Sequence, residues 1–235
     1  MQSTVIRPPI LDCLTKRTVE IRLRARWELA LRDPHRFQEW FLWTLDTHGN
    51  EKSIRPFPHD RPHVHAMTDL WLHNQLISIR KSRQMLMTWW GAATCLWDVL
   101  HPGKLIVQQS KKLEDAVGNE WVGDGPLGRT KFMLAHIPGK SVIGLVEGRD
   151  YVKRETHIDF KQLGSAVVAI PEGGSQIRQK TASGIFSDES NFQPEFGDSY
   201  AAAIPCIRGG AWFLSISTAE LGAAHDLHND QMADR

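Results

Sequence analysis

The chain has 235 residues, 41% of them hydrophobic and 23% charged, with a formal net charge of +1. These proportions are ordinary for a globular protein of one large domain, or one domain with an appendage, and the near-zero charge excludes a global electrostatic case for nucleic acid, so that any polyanion-binding surface must be a local patch. Cys13, Cys95 and Cys206 are too far apart for a disulfide framework or zinc ribbon and suit a reducing compartment, and no apolar run approaches membrane-spanning length.

Residues 1–15, with Pro8-Pro9, read as a loose arm. Lys16 to Trp43 reads as two helices. The first has an apolar stripe of Val19, Leu23, Trp27, Ala30 and Leu31, with Arg17, Arg22, Arg24, Arg26 and Arg32 as a solvated face. Asp33-Pro34 supplies the N-cap and first-turn proline of the second, whose apolar face is Phe37, Trp40, Phe41 and Leu45. Asp46 to Pro62 is a Gly/Asn/Pro/His loop, and Val64 to Leu72 a short helix.

Leu76 to Ile79 reads as a buried strand, Lys81-Ser82-Arg83-Gln84 as a polar loop, and the chain from Thr88 as a helix with Trp89, Ala92, Ala93, Leu96, Val99 and Leu100 on one face. Strand, polar loop and helix opened by a hydroxyl residue is the layout of a phosphate-binding loop. The usual pattern is G-x-x-x-x-G-K-[ST], and only Thr88 satisfies it; Leu86 stands for the second glycine and Met87 for the lysine. Lys104 to Gln109 is a second buried strand, followed by a helix from Leu113 to Trp121. This alternation points to an α/β fold with a mainly parallel sheet.

Gly123 to Gly148 reads as loop, and its Gly139-Lys140-Ser141 lacks both the preceding strand and the earlier glycine of a phosphate site. Thr156 to Phe160 and Ser165 to Ile170 alternate as short paired strands, and Pro171 to Gln179 is a loop carrying Arg178. Gly184 to Glu189 is an apolar strand ending in two carboxylates, Phe196 to Pro205 a helix, and Ala211 to Ile216 a further strand ending in Ser217-Thr218; the tail from Ala219 reads as polar and frayed. The pairs His63/His65 and His225/His228 lack a third metal ligand and read as loop histidines.

An apolar strand ending in Asp188-Glu189 gives the second half of a P-loop ATPase: the aspartate holds the magnesium shell and the glutamate polarises the attacking water. In a parallel sheet these carboxylates, the phosphate loop and Ser217-Thr218 share one C-terminal edge. With Met87 in the lysine position, the cation falls to Lys81 or Arg83, and Thr88 is placed to ligate magnesium. Leu86 stands where a tight turn favours a residue without Cβ.

In this order the motifs resemble the ATPase domain of the large terminase subunit of tailed bacteriophages. The deviant loop (K/R)-S-R-Q-x-G-x-[ST] of that family looks like Lys81-Ser82-Arg83-Gln84-Met85-Leu86-Met87-Thr88, its Walker B segment like Gly184 to Phe192, and its coupling motif like Ile216-Ser217-Thr218. The resemblance implies an ASCE-type P-loop NTPase domain over residues 63–220 behind an N-terminal arm and helical segment (1–62), with a polar tail (221–235). It implies ATP and Mg2+ as cofactors. Lys81, Ser82, Arg83, Gln84, Met85, Leu86, Met87 and Thr88 would bind phosphate, Thr88 and Asp188 Mg2+, and Ser217 and Thr218 would couple hydrolysis to motion. Glu189 would be catalytic, and Arg178 would act as a finger on a neighbouring subunit.

The implied function is a motor pumping double-stranded DNA into a procapsid, with portal protein, small terminase subunit and a homo-oligomeric, commonly pentameric, ring as partners, in the cytoplasm of the bacterial host. Lys111-Lys112 and the arginine-rich helix are the candidate DNA contacts. Family members continue into an RNase H-like nuclease domain. This chain stops at Arg235, so no nuclease activity is expected. The alternative is a degenerate, non-hydrolysing fragment that binds DNA or partners.

Overall fold

A computed structural model describes residues 9–46, 53–83 and 85–233. A seven-stranded sheet is built from β3 (Leu76–Lys81), β4 (Leu105–Ser110), β5 (Tyr151–Lys153), β6 (His157–Phe160), β7 (Ser165–Pro171), β8 (Gly184–Asp188) and β9 (Trp212–Thr218). Its order is β3-β9-β8-β4-β7-β6-β5. The five strands from β3 to β7 run parallel, and β6 and β5 close one edge antiparallel. The central strands are buried along their length because both faces of the sheet are covered, and their polar residues gather toward the C-terminal ends. Side chains of β8 alternate accordingly: Ile185 enters one core and Phe186 the other.

The larger core lies under α1 (Pro9–Leu31), α2 (Pro34–Phe41), α3 (Pro62–His73), α4 (Met87–Val99) and α6 (Pro126–His136). The opposite face is covered by α8 (Gly174–Arg178), α9 (Phe196–Arg208) and α10 (Ala223–Ala233). Two short helices, α5 (Leu113–Val117) and α7 (Lys140–Ile143), complete the set among the described residues. Helix α4 is buried nearly all round, not on the single face its spacing suggests, because it lies between the sheet and α2, α3 and α6. Gly91 permits the approach: a Cβ there would sit 2.5 Å from the Phe186 ring. At the far end of α4 the buried Asp98 accepts from Trp212 Nε1 at 2.8 Å and pairs with Lys104 Nζ at 3.1 Å.

Several expected loops are ordered elements. Helix α1 begins at Pro9, within the expected arm, since proline is pre-set for a first helical turn; residues 1–8 lie outside the described set. Its Val19 is exposed, and the inward stripe is Leu23, Trp27, Ala30 and Leu31, with the five arginines outside. Helix α2 has the expected cap, Asp33 accepting from His35 N–H at 3.0 Å, but ends at Phe41. The next residues form β1 (Trp43–Asp46), paired antiparallel with β2 (Ser53–Pro56), so Leu45 is on a strand. The part of the expected loop between them, residues 47–52, lies outside the described set.

Helix α5 stops at Val117 and not Trp121, because Gly118 takes φ +55° and ends it. The glycine-rich stretch 123–148 contains α6, opened by Gly125-Pro126, and α7. Gly139-Lys140-Ser141 is the start of α7, with Gly139 in the left-handed region and no preceding strand. The loop after β7 contains α8. Ser190–Phe192, directly after the carboxylates, is a 3-10 turn. The expected frayed tail is α10, which docks on β3: the Arg80 guanidinium donates to His225 Nδ1 at 2.9 Å and Asn229 Oδ1 at 2.8 Å, and Ala224 is buried. His63, His65, His225 and His228 are therefore helical residues.

Candidate functional site

The C-terminal ends of β3, β9 and β8 are neighbours, and their register sets the site. Lys81 lies beside Thr218 and Asp188 beside Ile216. Lys81 is the last residue of its strand, so its side chain is anchored by the sheet and only 8% exposed. Its ammonium donates to Glu189 Oε1 at 2.7 Å. Glu189 Oε2 accepts from the Thr218 N–H at 3.2 Å, from Thr218 Oγ1 at 3.3 Å and, more weakly, from Ser217 Oγ at 3.5 Å.

Glu189 turns out of the strand at φ +50°, a left-handed conformation uncommon for a residue with Cβ. The following turn holds it there. Asn191 N–H donates to Ser217 Oγ at 3.0 Å and its amide donates to the Thr218 carbonyl at 2.8 Å. Gln193 donates to the Asp188 carbonyl at 2.8 Å. The two carboxylates sit in contrasting surroundings. Burial pushes Asp188 up to about 6, with Arg129 and the Thr88 hydroxyl pulling it back. Burial also acts to raise Glu189, but the Lys81 ammonium and the Thr218 N–H outweigh it and hold the carboxyl below its ordinary value.

The loop read from the sequence as phosphate-binding connects β3 to α4. Leu86 is the residue before α4 and adopts φ +60°, ψ 8°, the glycine-like conformation that the tight turn demands. That conformation costs a residue with Cβ about 1–2 kcal/mol. Met87, in the usual lysine position, is buried in the core and offers the cleft no cation. Thr88 Oγ1 points at the sheet edge and donates to Asp188 Oδ1 at 3.0 Å. Ser82, Arg83 and Met85 are exposed, and Gln84 lies outside the described residues. The first N–H groups of α4 open onto the same place, as anion-binding helix termini do.

One residue that spacing alone missed completes the charge balance. Arg129, on α6, is half-buried, lies 5.6 Å over the Trp89 ring and donates from Nε to the Gly123 carbonyl at 3.0 Å. Burial pulls its guanidinium down, and Asp188, Asp124 and Glu189 pull it back. It lines two adjoining clefts. One, of about 720 Å3, is bordered by Arg83, Lys111, Asp188 and Glu189. The other, of about 690 Å3, lies between the β1–β2 hairpin and the phosphate loop, against Thr44, Arg61, Lys81 and Leu86. The available signal was Gly125-Pro126 with Leu127, Thr130, Met133 and Leu134 recurring at helical spacing.

This cleft fits a magnesium nucleotide. A hydroxyl and a carboxylate 3.0 Å apart are hard oxygen donors of the kind Mg2+ takes. Lys81, Arg83 and Arg129 supply cations around the α4 N-terminus. Arg178 is not part of the arrangement; it is exposed on α8 and lines neither cleft.

No family model matches the sequence, and no curated protein matches it. Solved structures do. The large terminase of bacteriophage HK97 superposes with a TM-score of 0.54 at 15% identity, over 87% of this chain and 40% of that one. An arginine-to-alanine variant of the large terminase ATPase domain of Thermus phage P74-26 superposes with a TM-score of 0.50 at 10% identity, over 69% of this chain and 67% of that one. This chain shares its fold with phage large terminase ATPase domains. The mainly parallel sheet with helices on both faces is thus the fold of those domains. The chain spans less than half the length of the HK97 protein. Among the described residues no helix is long and apolar enough to cross a membrane.

Proposed function

We propose that this chain is the ATPase module of a DNA-packaging motor. The observation that carries the reading is the meeting of Lys81, Thr88, Asp188, Glu189 and Thr218 at the ends of three adjacent parallel strands. Lys81, Arg129 and the α4 N-terminus bind the triphosphate. Thr88 and Asp188 hold Mg2+, which when bound neutralises charge on the phosphate oxygens. Glu189, anionic at neutral pH, accepts a proton at Oε1 or Oε2 from the attacking water once Lys81 has left it for phosphate. Thr218 touches the same carboxylate through N–H and hydroxyl, so any movement of Glu189 is felt directly at the end of β9.

The motor reading extends to its partners: double-stranded DNA, a portal protein, a small terminase subunit and a ring of like subunits in the bacterial cytoplasm. The exposed Arg178 is available to a neighbouring subunit, and the exposed arginines of α1 and Lys111-Lys112 to DNA. The competing reading, a non-hydrolysing binding module, is favoured by one observation, the leucine in the glycine-like turn at position 86.

The test is binding of a fluorescent ATP analogue with Mg2+, followed by phosphate release with and without double-stranded DNA, using Glu189→Ala as the control. Mg2+-dependent binding with release lost in the control supports the motor. Binding without release selects the second reading, and no binding at high micromolar nucleotide refutes the motor.

A further inference from the structure

A second cluster of ligating side chains lies away from the cleft, where α2 meets α3. His35 Nε2 is 2.8 Å from Asp69 Oδ1, and His65 Nδ1 is 3.2 Å from Asp69 Oδ2. The two imidazoles stack with centroids 4.0 Å apart and planes at 26°. One ligand atom from each of the three residues lies within 4.8 Å of the others. His65 and Asp69 are four apart on α3, so one helical turn presents both on the same face. His35 comes from the first turn of α2, where the Asp33 cap fixes its backbone by accepting from its N–H at 3.0 Å. Just below, Gln38 of α2 donates to Thr68 Oγ1 of α3 at 3.2 Å, so the two helices are already held at this height.

We propose that His35, His65 and Asp69 form a binding site for a borderline divalent cation of the zinc class, bridging α2 and α3. Two neutral imidazoles and one carboxylate select such an ion over Mg2+ or Ca2+, which prefer oxygen donors. Tetrahedral bonds of about 2.1 Å put ligand atoms about 3.4 Å apart, and the two N···O separations of 2.8 and 3.2 Å need little adjustment to reach that. With the Asp69 and His65 side chains 54% and 57% exposed, solvent completes the fourth position. The ion would staple two helices contributed by residues 34 positions apart in sequence. The site is independent of the nucleotide cleft.

The experiment uses the full chain, stripped with chelator. Co2+ is titrated while the visible d–d band is followed, Zn2+ is then used in competition, and the thermal midpoint is recorded with and without Zn2+. The expected result is one equivalent of Co2+ giving an intense low-symmetry band, its displacement by Zn2+, and a raised midpoint. His65→Ala and Asp69→Asn, both at half-exposed positions, should weaken Co2+ by more than about tenfold, at least the effect of removing an outer-sphere partner. Asp188→Asn should leave Co2+ affinity unchanged. The proposal is overturned if the wild-type chain shows no band, or if both ligand variants bind Co2+ as the wild type does.

Discussion

Replacing Glu189 by glutamine should separate nucleotide binding from hydrolysis, moving the two in opposite directions. The carboxylate holds the ammonium of Lys81 at 2.7 Å, and the lysine side chain is 8% exposed while that of the glutamate is 38% exposed. The gross attraction at that distance is about 6 kcal/mol for an effective dielectric constant of about 20. Desolvation of the ammonium and solvent screening of the half-open carboxylate take back most of it. A pair intermediate between exposed ones, worth about 0.2–1 kcal/mol, and fully buried ones, where removing one partner costs about 3–5, retains about 1–2 kcal/mol.

Phosphate must compete with that pair for Lys81. Glu189→Gln removes the competitor and should tighten a non-hydrolysable ATP analogue by about 5–30-fold at 1.4 kcal/mol per tenfold. It should also slow phosphate release by about 100-fold or more, the usual loss on removing a general base. Fluorescence titration and a phosphate-release assay measure the two. The decisive control is the same substitution in a Lys81→Ala background, where the gain in affinity should vanish. A gain that persists there would refute the argument, because the carboxylate would then be repelling phosphate directly and not detaining the lysine.

Asp188→Asn should stabilise the protein near pH 7 and not near pH 4. The folded carboxyl is raised to about 6 from 3.8, so the folded state holds its proton more tightly than the unfolded chain. Stability therefore falls as pH rises between these values, by about 3 kcal/mol for about two pH units. Urea unfolding of both proteins at the two pH values gives the difference. Arg129→Gln should weaken the ATP analogue by about 10–100-fold, as loss of a charged hydrogen bond worth about 1.5–3 kcal/mol does; unchanged affinity would remove Arg129 from the site. Leu86→Gly should change stability by less than about 1 kcal/mol, since relief of about 1–2 kcal/mol of left-handed strain is offset by the lost packing of a half-buried side chain and the freer unfolded backbone. Leu86→Val should destabilise clearly, because a β-branched residue is an outlier at φ +60°; equal urea midpoints for Val and Leu would contradict the strain. Asp98→Ala should cost about 2–4 kcal/mol in urea unfolding, leaving Trp212 Nε1 and Lys104 Nζ without their buried acceptor.

What could be read in advance follows from how local each signal is. Asp33-Pro34 announces a helix because cap and proline act on their own turn. The strands ending at Lys81, Asp188 and Thr218 are visible as apolar runs because both sheet faces are covered. Arg129 was hidden in a stretch whose glycines suggested loop; they instead serve as turn and cap at positive φ around α6. Its place beside Asp188 depends on α6 packing across α4, a contact between residues far apart in sequence. The β1–β2 hairpin and α10 carry weak patterns because the first is a short pairing closed by Arg55 with Asp46 across its own strands, and the second is held by a tertiary partner, Arg80 with His225 and Asn229. Leu86 is the reverse case. The residue type argued against a tight turn, and the chain makes the turn regardless, at φ +60°.

Strand β3 pairs through β9 alone, and no other described strand lies on its far side. The strand that presents Lys81 is therefore an edge strand of the sheet, while the two carboxylates at the end of β8 lie two strands further in. Its amides should exchange with deuterium through local opening at lower free energy than those of β8 or β4, which are paired on both sides. Each opening would part Lys81 from Thr218 and loosen the Glu189 contacts together. A ligand that bridges Lys81 and the α4 N-terminus would tie that margin down, so slowed exchange confined to β3 and the start of α4 would be its most local signature.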